Sequence, residues 1–237
     1  MAAGVGSRLR GHFNSKPKGF IEIGDYPIIE RSIIVLLKHG IEKILIGTGF
    51  KSEYYEELAR HYGQVTCVKN IEYGQTGSFY TLYNLRHFIT EDILLLESDL
   101  LYEQKAVFFL QNEPEPNIVL ASGWTKSGDE FYIEVDAHHN LVNMSKKKEE
   151  LNSIYGELVG ISKISYSAFK TLCSWAEAHV EDAYRRDYEY CLCQLAKTVP
   201  ISIKKIEDLL WVEIDDESHL NRAIHTLYPK IKEIEYD

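Results

Sequence analysis

Short aliphatic and β-branched runs recur along the first half of the chain: KILIGTG at 43–49, QVTCVKN at 64–70, DILLLESDL at 92–100 and NIVLASGW at 117–124. Between the first of them lie segments with helical punctuation. One runs from Pro27 to His39, with proline near the first turn and Gly40 just past the end; the other runs from Ser52 to Tyr62 and stops at Gly63. Strands alternating with helices over such short connections predict α/β layering with a mainly parallel sheet. After residue 124 the character changes. FYIEVDAHHNLVNM alternates like an exposed strand around an Asp-Ala-His-His-Asn turn, and the charge run KKKEE follows at 146–150, so a hairpin or small antiparallel insert is expected there. ELVGISKIS at 157–165 reads as a strand, Tyr166 to Arg186 as largely helical, and WVEIDDESHLNRA as a strand returning into a final helix. No linker-like stretch and no internal repeat divides the chain, so residues 1–237 read as one domain.

Composition narrows the function. A net charge of −10 argues against a general nucleic-acid surface, which needs a basic footprint. No run approaches the ~18 apolar residues of a membrane span, and the start lacks a charged-then-apolar signal, so a cytoplasmic protein is expected. Cys67, Cys173, Cys191 and Cys193 have neither zinc-site spacing nor the density of a disulfide scaffold, and read as free thiols in a reducing compartment.

Positive charge is concentrated at one place. AAGVGSRLRGHFNSKPKGFIEIGDYPIIERSI, residues 2–33, packs Gly4, Gly6, Arg8, Arg10, Lys16 and Lys18 into fifteen positions, with Ala2, Ala3 and Ser7 among them. Small residues let backbone N–H groups approach phosphate oxygens, and the cations can neutralise charge moving onto a leaving pyrophosphate. Only three residues precede this loop where a parallel sheet calls for a whole strand, so a start further upstream is expected.

Two acidic positions complete the pattern. ESDLLY at 97–102 places Asp99, beside Ser98, at the carboxyl end of a buried run, where ligands of open α/β sheets gather and a carboxylate can hold Mg²⁺. In WVEIDDESHL, Asp215 follows an alternating strand and is preferred as the site residue over Asp216, whose alternative role is to cap the helix that begins near Glu217. IEYGQTGSFYTLYNL at 71–85 offers Gly77 and Ser78 at the start of a helix whose Phe79, Leu82, Tyr83 and Leu85 read as core.

These elements resemble the nucleotidyltransferase superfamily of sugar-1-phosphate and phosphocholine nucleotidylyltransferases. Its signature is a loop of the form AAGxGxRL, then PK, then an apolar segment with a proline before a helix; here these are Ala2 to Leu9, Pro17-Lys18 and GDYPIIERSI. The resemblance implies a three-layer, Rossmann-like nucleotidyltransferase fold with a mixed, mostly parallel central sheet. It implies that Arg8 and Lys18 hold the triphosphate, that Asp99 and Asp215 share Mg²⁺, and that the 71–85 segment contacts base and ribose. Across SKPKGFIEIGDYPIIERSI, TGSFYTLYNL, LLLESDL and WVEIDDESHLNRA the chain is most similar to 2-aminoethylphosphonate cytidylyltransferases. They join CTP to a small phosphonate, and some carry a fused aminotransferase domain; assembly into a homo-oligomer is left open.

An amine-bearing acceptor needs carboxylates or aromatic faces. Glu130, Glu157 and Glu189 are candidates, with Tyr132, Tyr188 and Tyr190 as walls. Lys16, where relatives often carry a small polar residue, is a further acceptor candidate. A phosphocholine or sugar-1-phosphate enzyme would keep the same metal and triphosphate residues, and a regulatory, non-catalytic relative would be expected to lose one of them. A dinucleotide-binding oxidoreductase is set aside, because GVGSRL lacks a third glycine and KILIGTG ends without an acid.

Overall fold

Each apolar run of the first half becomes a strand in the computed structural model, which describes residues 1–4, 6, 16–125, 127–128 and 130–236. A tight turn at Lys18–Phe20 leads into a small antiparallel hairpin, β1 (Glu22–Ile23) and β2 (Tyr26–Pro27), and then α1 (Ile28–Lys38). Pro27 stands just ahead of the first turn of α1, where a missing N–H leaves no helical bond unmade. Next come β3 (Ile44–Thr48), α2 (Ser52–Ala59) and β4 (Val65–Lys69), with β3 and β4 parallel. The helix α2 ends earlier than expected, because His61 and Tyr62 turn back onto the carbonyls of Leu58 and Ala59, three residues away. Then follow α3 (Ser78–Asn84), β5 (Ile93–Leu96), β6 (Leu100–Tyr102), α4 (Lys105–Asn112) and β7 (Ile118–Ser122).

The second half adds β8 (Tyr132–Val135), β9 (Leu141–Ser145), β10 (Gly156–Ile164), α5 (Tyr166–Ala178), α6 (Val180–Arg185), α7 (Tyr188–Ala196), β11 (Ser202–Ile206), β12 (Trp211–Glu213), α8 (Glu217–Arg222) and α9 (Tyr228–Tyr236). The hairpin β8–β9 corrects the expectation of an exposed insert. It pairs with β10, setting Ile133 opposite Gly156, so Tyr132, Ile133 and Glu134 are buried. The turn between its strands is held by Asp136, whose carboxylate accepts from the backbones of His138 and Asn140.

Six strands share one sheet in the order β11-β7-β10-β8-β9, with β5 also paired to β10. Both β5 and β7 are antiparallel to β10 and β11 is parallel to β7, so β5, β7 and β11 run one way and β10 the other. Residues 1–2 lie between β5 and β3: Ala2 bridges Thr48 in parallel, and the Met1 amine donates to the Leu96 carbonyl. Alongside them is an apolar cavity of about 570 Å³, lined by Ile29, Ile33 and Leu36 of α1 and by Leu82 and Leu85.

The layers follow from strand periodicity. In β7, Val119 and Ala121 join a core with Phe79 and Leu82 of α3 and Phe169 and Leu172 of α5, while Ile118 and Leu120 join a second core with Ile33 of α1, Tyr55 of α2 and Leu110 of α4. Both faces are covered, which is why NIVLASG reads as a continuous apolar run. A third, smaller core packs Leu101 of β6 and Val212 of β12 against Leu220, Leu227 and Ile231 of the C-terminal helices. All four cysteines are unpaired, and among the described residues no helix is long and apolar enough to cross a membrane.

Candidate active site

Two strands end in the same three-residue pattern: β5 runs into Glu97-Ser98-Asp99, and β12 ends in Glu213-Ile214-Asp215. Each strand end thereby carries two carboxylates, Glu97 and Asp99 on one and Glu213 and Asp215 on the other. The antiparallel pairing of β6 with β12 then brings the pairs together, with Leu100 opposite Glu213 and the Ile214 N–H donating to the Asp99 carbonyl at 3.0 Å. Glu97, Asp99 and Glu213 each offer an oxygen, and the three lie within 4.8 Å of one another. That donor set fits a hard, oxygen-seeking divalent cation.

Two glycines make the convergence sterically possible. Gly160, at φ +80°, sits where the register between β10 and β7 shifts, and a Cβ there would stand 3.0 Å from the Glu97 carboxyl carbon. Gly19 lets the Lys18–Phe20 turn press against the end of β5, since a Cβ would come 3.0 Å from the Tyr55 hydroxyl and 3.2 Å from the Ser98 carbonyl. Lys18 is thereby delivered to the acids. Its ammonium donates to Asp215 Oδ1 at 2.5 Å and to Asp99 Oδ2 at 3.2 Å.

The electrostatics follow from this crowding. Burial opposes the charge on Lys18, but Asp99 and Asp215, with Glu213 near them, outweigh it and hold the ammonium above the ordinary lysine range. The acids are raised as well, which for them favours the neutral form. Burial, then Glu189 and Asp99, raises Glu97; burial, then Glu97, Asp99 and Asp215, raises Glu213. Asp216 caps α8 by accepting from the His219 N–H at 2.8 Å, whereas Asp215 is buried against Lys18.

A cavity of about 490 Å³ opens over this cluster. Ala2, Ala3, Gly4 and Gly6 line it, as do Lys18, Ser98 and Asp99. Gly77 and Ser78 line it too, and they also tie the start of α3 to α6 and α7. The Gly77 N–H donates to the Tyr184 carbonyl at 2.9 Å, the Ser78 N–H to Asp187 at 3.0 Å, and the Tyr188 N–H to the Ser78 hydroxyl at 2.9 Å. From the second half come Phe131, Lys146, Tyr188 and Glu189.

Other candidates stand apart. Lys16 does not line the cavity: it is exposed and pairs with Glu22 at 2.9 Å, because it precedes Pro17 on the outer side of the turn that carries Lys18 inward. Glu130 and Glu157 are buried and already engaged, Glu130 accepting from the Ser127 hydroxyl at 2.8 Å and Glu157 from the Thr125 N–H at 2.7 Å. Burial and the neighbouring Glu157 carry Glu130 up to about 7. Ser7, Arg8 and Arg10 lie outside the described residues. Glu97 and Glu213 escaped sequence reading, although the repeated Glu-x-Asp after two apolar strands was the signal that could have found them.

Residues 1–129 match the model of the family described as MobA-like NTP transferase domain. Among curated proteins, the chain is 29% identical over 174 residues to the bifunctional protein GlmU of Methanococcus maripaludis, covering 73% of this chain but 41% of that protein. It is 26% identical over 188 residues to 2-aminoethylphosphonate cytidylyltransferase of Lancefieldella rimae, covering 78% and 72%. Among solved structures, the inositol-1-phosphate CTP transferase of T. maritima shares the fold with a TM-score of 0.82 at 19% identity, covering 98% of this chain and 94% of that one.

Proposed function

Because the chain belongs to the MobA-like NTP transferase domain family, we propose that it is a Mg²⁺-dependent cytidylyltransferase. It moves CMP from CTP to a small phosphonate or phosphate, with 2-aminoethylphosphonate as the favoured acceptor, and releases pyrophosphate. The observation that carries this reading is the Lys18 ammonium shared between Asp99 and Asp215, beside Glu97 and Glu213 and under the glycine-lined cavity. One cluster thus holds both carboxylates for a divalent cation and a cation for a triphosphate. The choice of CTP and of a phosphonate acceptor is supported by the 71–85 and 211–223 segments and by the Lancefieldella relative. The unpaired thiols agree with a reducing, cytoplasmic setting.

In the transfer, an acceptor oxygen forms a bond to the α-phosphorus of CTP while the bond from that phosphorus to the pyrophosphate oxygen breaks, and the electron pair leaves with pyrophosphate. The acceptor oxygen is already anionic near neutral pH, so no general base is required and the protein acts by positioning and charge. Glu97, Asp99 and Glu213, with Asp215, would hold Mg²⁺, which when bound neutralises phosphate oxygens. Lys18, charged throughout the neutral range, trades its carboxylate partners for the triphosphate and meets the charge gathering on pyrophosphate. Arg8 adds a second cation, and the N–H groups at Gly4 and Gly6 approach the phosphates. Gly77 and Ser78, which line the cavity, would contact the nucleoside.

The test is pyrophosphate release with Mg²⁺ and CTP, UTP, ATP or dTTP against 2-aminoethylphosphonate, phosphocholine and glucose-1-phosphate. Release confined to CTP with 2-aminoethylphosphonate is the expected result. Release with another pair would keep the transfer and replace the substrates, and no release from folded protein would end the reading.

A further inference from the structure

Glu97 is held from two sides. Its Oε1 accepts from the Tyr188 hydroxyl, and its Oε2 lies 3.1 Å from where a Cβ on Gly160 would stand. The Glu97 N–H also donates to the Gly160 carbonyl at 3.2 Å. Tyr188, the first residue of α7, is 2% exposed, and a buried phenol needs a partner for its O–H. A bond made for packing alone could end on any backbone carbonyl. This one ends on one of the three carboxylates that lie within 4.8 Å of one another.

The ring that carries this hydroxyl is itself fixed. The Tyr188 N–H donates to the Ser78 hydroxyl at 2.9 Å, and the Ser78 N–H donates to Asp187 at 3.0 Å. A Cβ on Gly77 would come 2.1 Å from the Arg186 carbonyl, so the chain leading into α7 lies directly against the start of α3. The two donors that reach the acid cluster differ in kind. Lys18 is a cation and competes with a metal for Asp99 and Asp215. The phenol is neutral, so its bond can persist when a divalent cation arrives. A carboxylate oxygen has two lone pairs, and a bond from Tyr188 to Oε1 leaves Glu97 free acceptor positions for an ion. Such outer hydrogen bonds orient a ligand before the metal binds and remove part of the ordering cost.

We propose that Tyr188 is a positioning residue for the divalent cation: its hydroxyl, anchored through the Tyr188 backbone by Ser78, sets the Glu97 carboxylate in its ligand orientation. This rests on the Mg²⁺-dependent transfer reading, and Tyr188 itself takes no part in the transfer. The probe is Mn²⁺, a hard cation that carboxylates take as they take Mg²⁺. It is titrated without nucleotide into folded wild type, Tyr188→Phe and Ser78→Ala, and the free ion is read by electron paramagnetic resonance. Removing an outer hydrogen bond to a metal ligand costs about 10–100-fold in affinity, so Tyr188→Phe, which keeps the ring, should weaken Mn²⁺ binding by about tenfold or more. Ser78→Ala should weaken it by a smaller factor. In pyrophosphate release, the Mg²⁺ concentration giving half the maximal rate should rise in Tyr188→Phe by the factor seen with Mn²⁺, with kcat recovered at saturating Mg²⁺. A purely structural tyrosine would instead lower Tm in EDTA and leave the Mn²⁺ affinity of the folded protein unchanged. Equal Mn²⁺ affinity in wild type and Tyr188→Phe overturns the assignment and leaves the transfer reading standing. No Mn²⁺ binding to wild type overturns the assignment together with the cation site. If Mn²⁺ binds but no substrate pair releases pyrophosphate, the transfer reading has failed and the titration still decides on Tyr188. Should Tyr188→Phe fail to fold, Ser78→Ala decides, and wild-type Mn²⁺ affinity in that variant overturns the assignment.

Discussion

Replacing Lys18 by methionine removes one ammonium from between two carboxylates and keeps most of the side-chain volume. The side chains of Asp215 and Asp99 are 7% and 15% exposed, so water cannot readily take the place of the lost partner. Breaking a buried pair in this way costs about 3–5 kcal/mol. A loss of about 3 kcal/mol is therefore expected, equivalent to about 6–12 °C in Tm for a chain of this length. Mg²⁺ provides an independent check. In wild type it must compete with Lys18 for the carboxylates, whereas in Lys18→Met it meets them bare, so its stabilising effect should be larger in the variant. Thermal melts of both proteins at pH 7, in EDTA and in millimolar Mg²⁺, measure both effects. A loss below about 1 kcal/mol in EDTA at pH 7, or a Mg²⁺ shift of the same size in both proteins, would refute the reasoning.

The adjacent aspartates should separate cleanly. Asp215→Asn, like Asp99→Asn, is expected to abolish pyrophosphate release at any Mg²⁺ concentration, while Asp216→Ala should lose about 1 kcal/mol of stability as a missing helix cap and keep turnover, both read from one activity assay and one denaturant melt. Gly160→Ala places a Cβ at φ +80° and 3.0 Å from the Glu97 carboxyl, so urea unfolding should show a loss of about 1–3 kcal/mol together with weakened Mg²⁺ binding. Glu130 is raised from its ordinary value to about 7, so the folded state binds more protons than the unfolded state between about pH 4.5 and 7, and stability falls as pH rises through that window. Glu130→Gln should therefore gain on wild type between pH 5 and pH 8, and a Tm difference independent of pH would contradict the assignment.

Much of the architecture could be read directly from the chain. Pro27 and Gly40 bracket α1, and the run IVLA is continuously apolar because both of its faces are covered. These are local signals, set by backbone sterics, strand periodicity and charge, and they need no distant partner to be recognised. Other features have no local signature. The β8–β9 hairpin alternates as if exposed, yet pairing with β10, about twenty residues away, buries it. Asp215 and Asp216 are chemically identical neighbours, and only the start of α8 and the reach of Lys18 from 197 positions away make one a cap and the other the partner of Lys18. Glu189 resembles any acid in the first turn of a helix until the clasp between Ser78 and Tyr188 turns it into the cavity. The sequence by itself determined the layers and the kind of chemistry, because hydrophobic period and residue type are written into short segments. The tertiary structure decided which carboxylates meet, because that depends on strand pairing and close backbone approach between segments far apart in the chain.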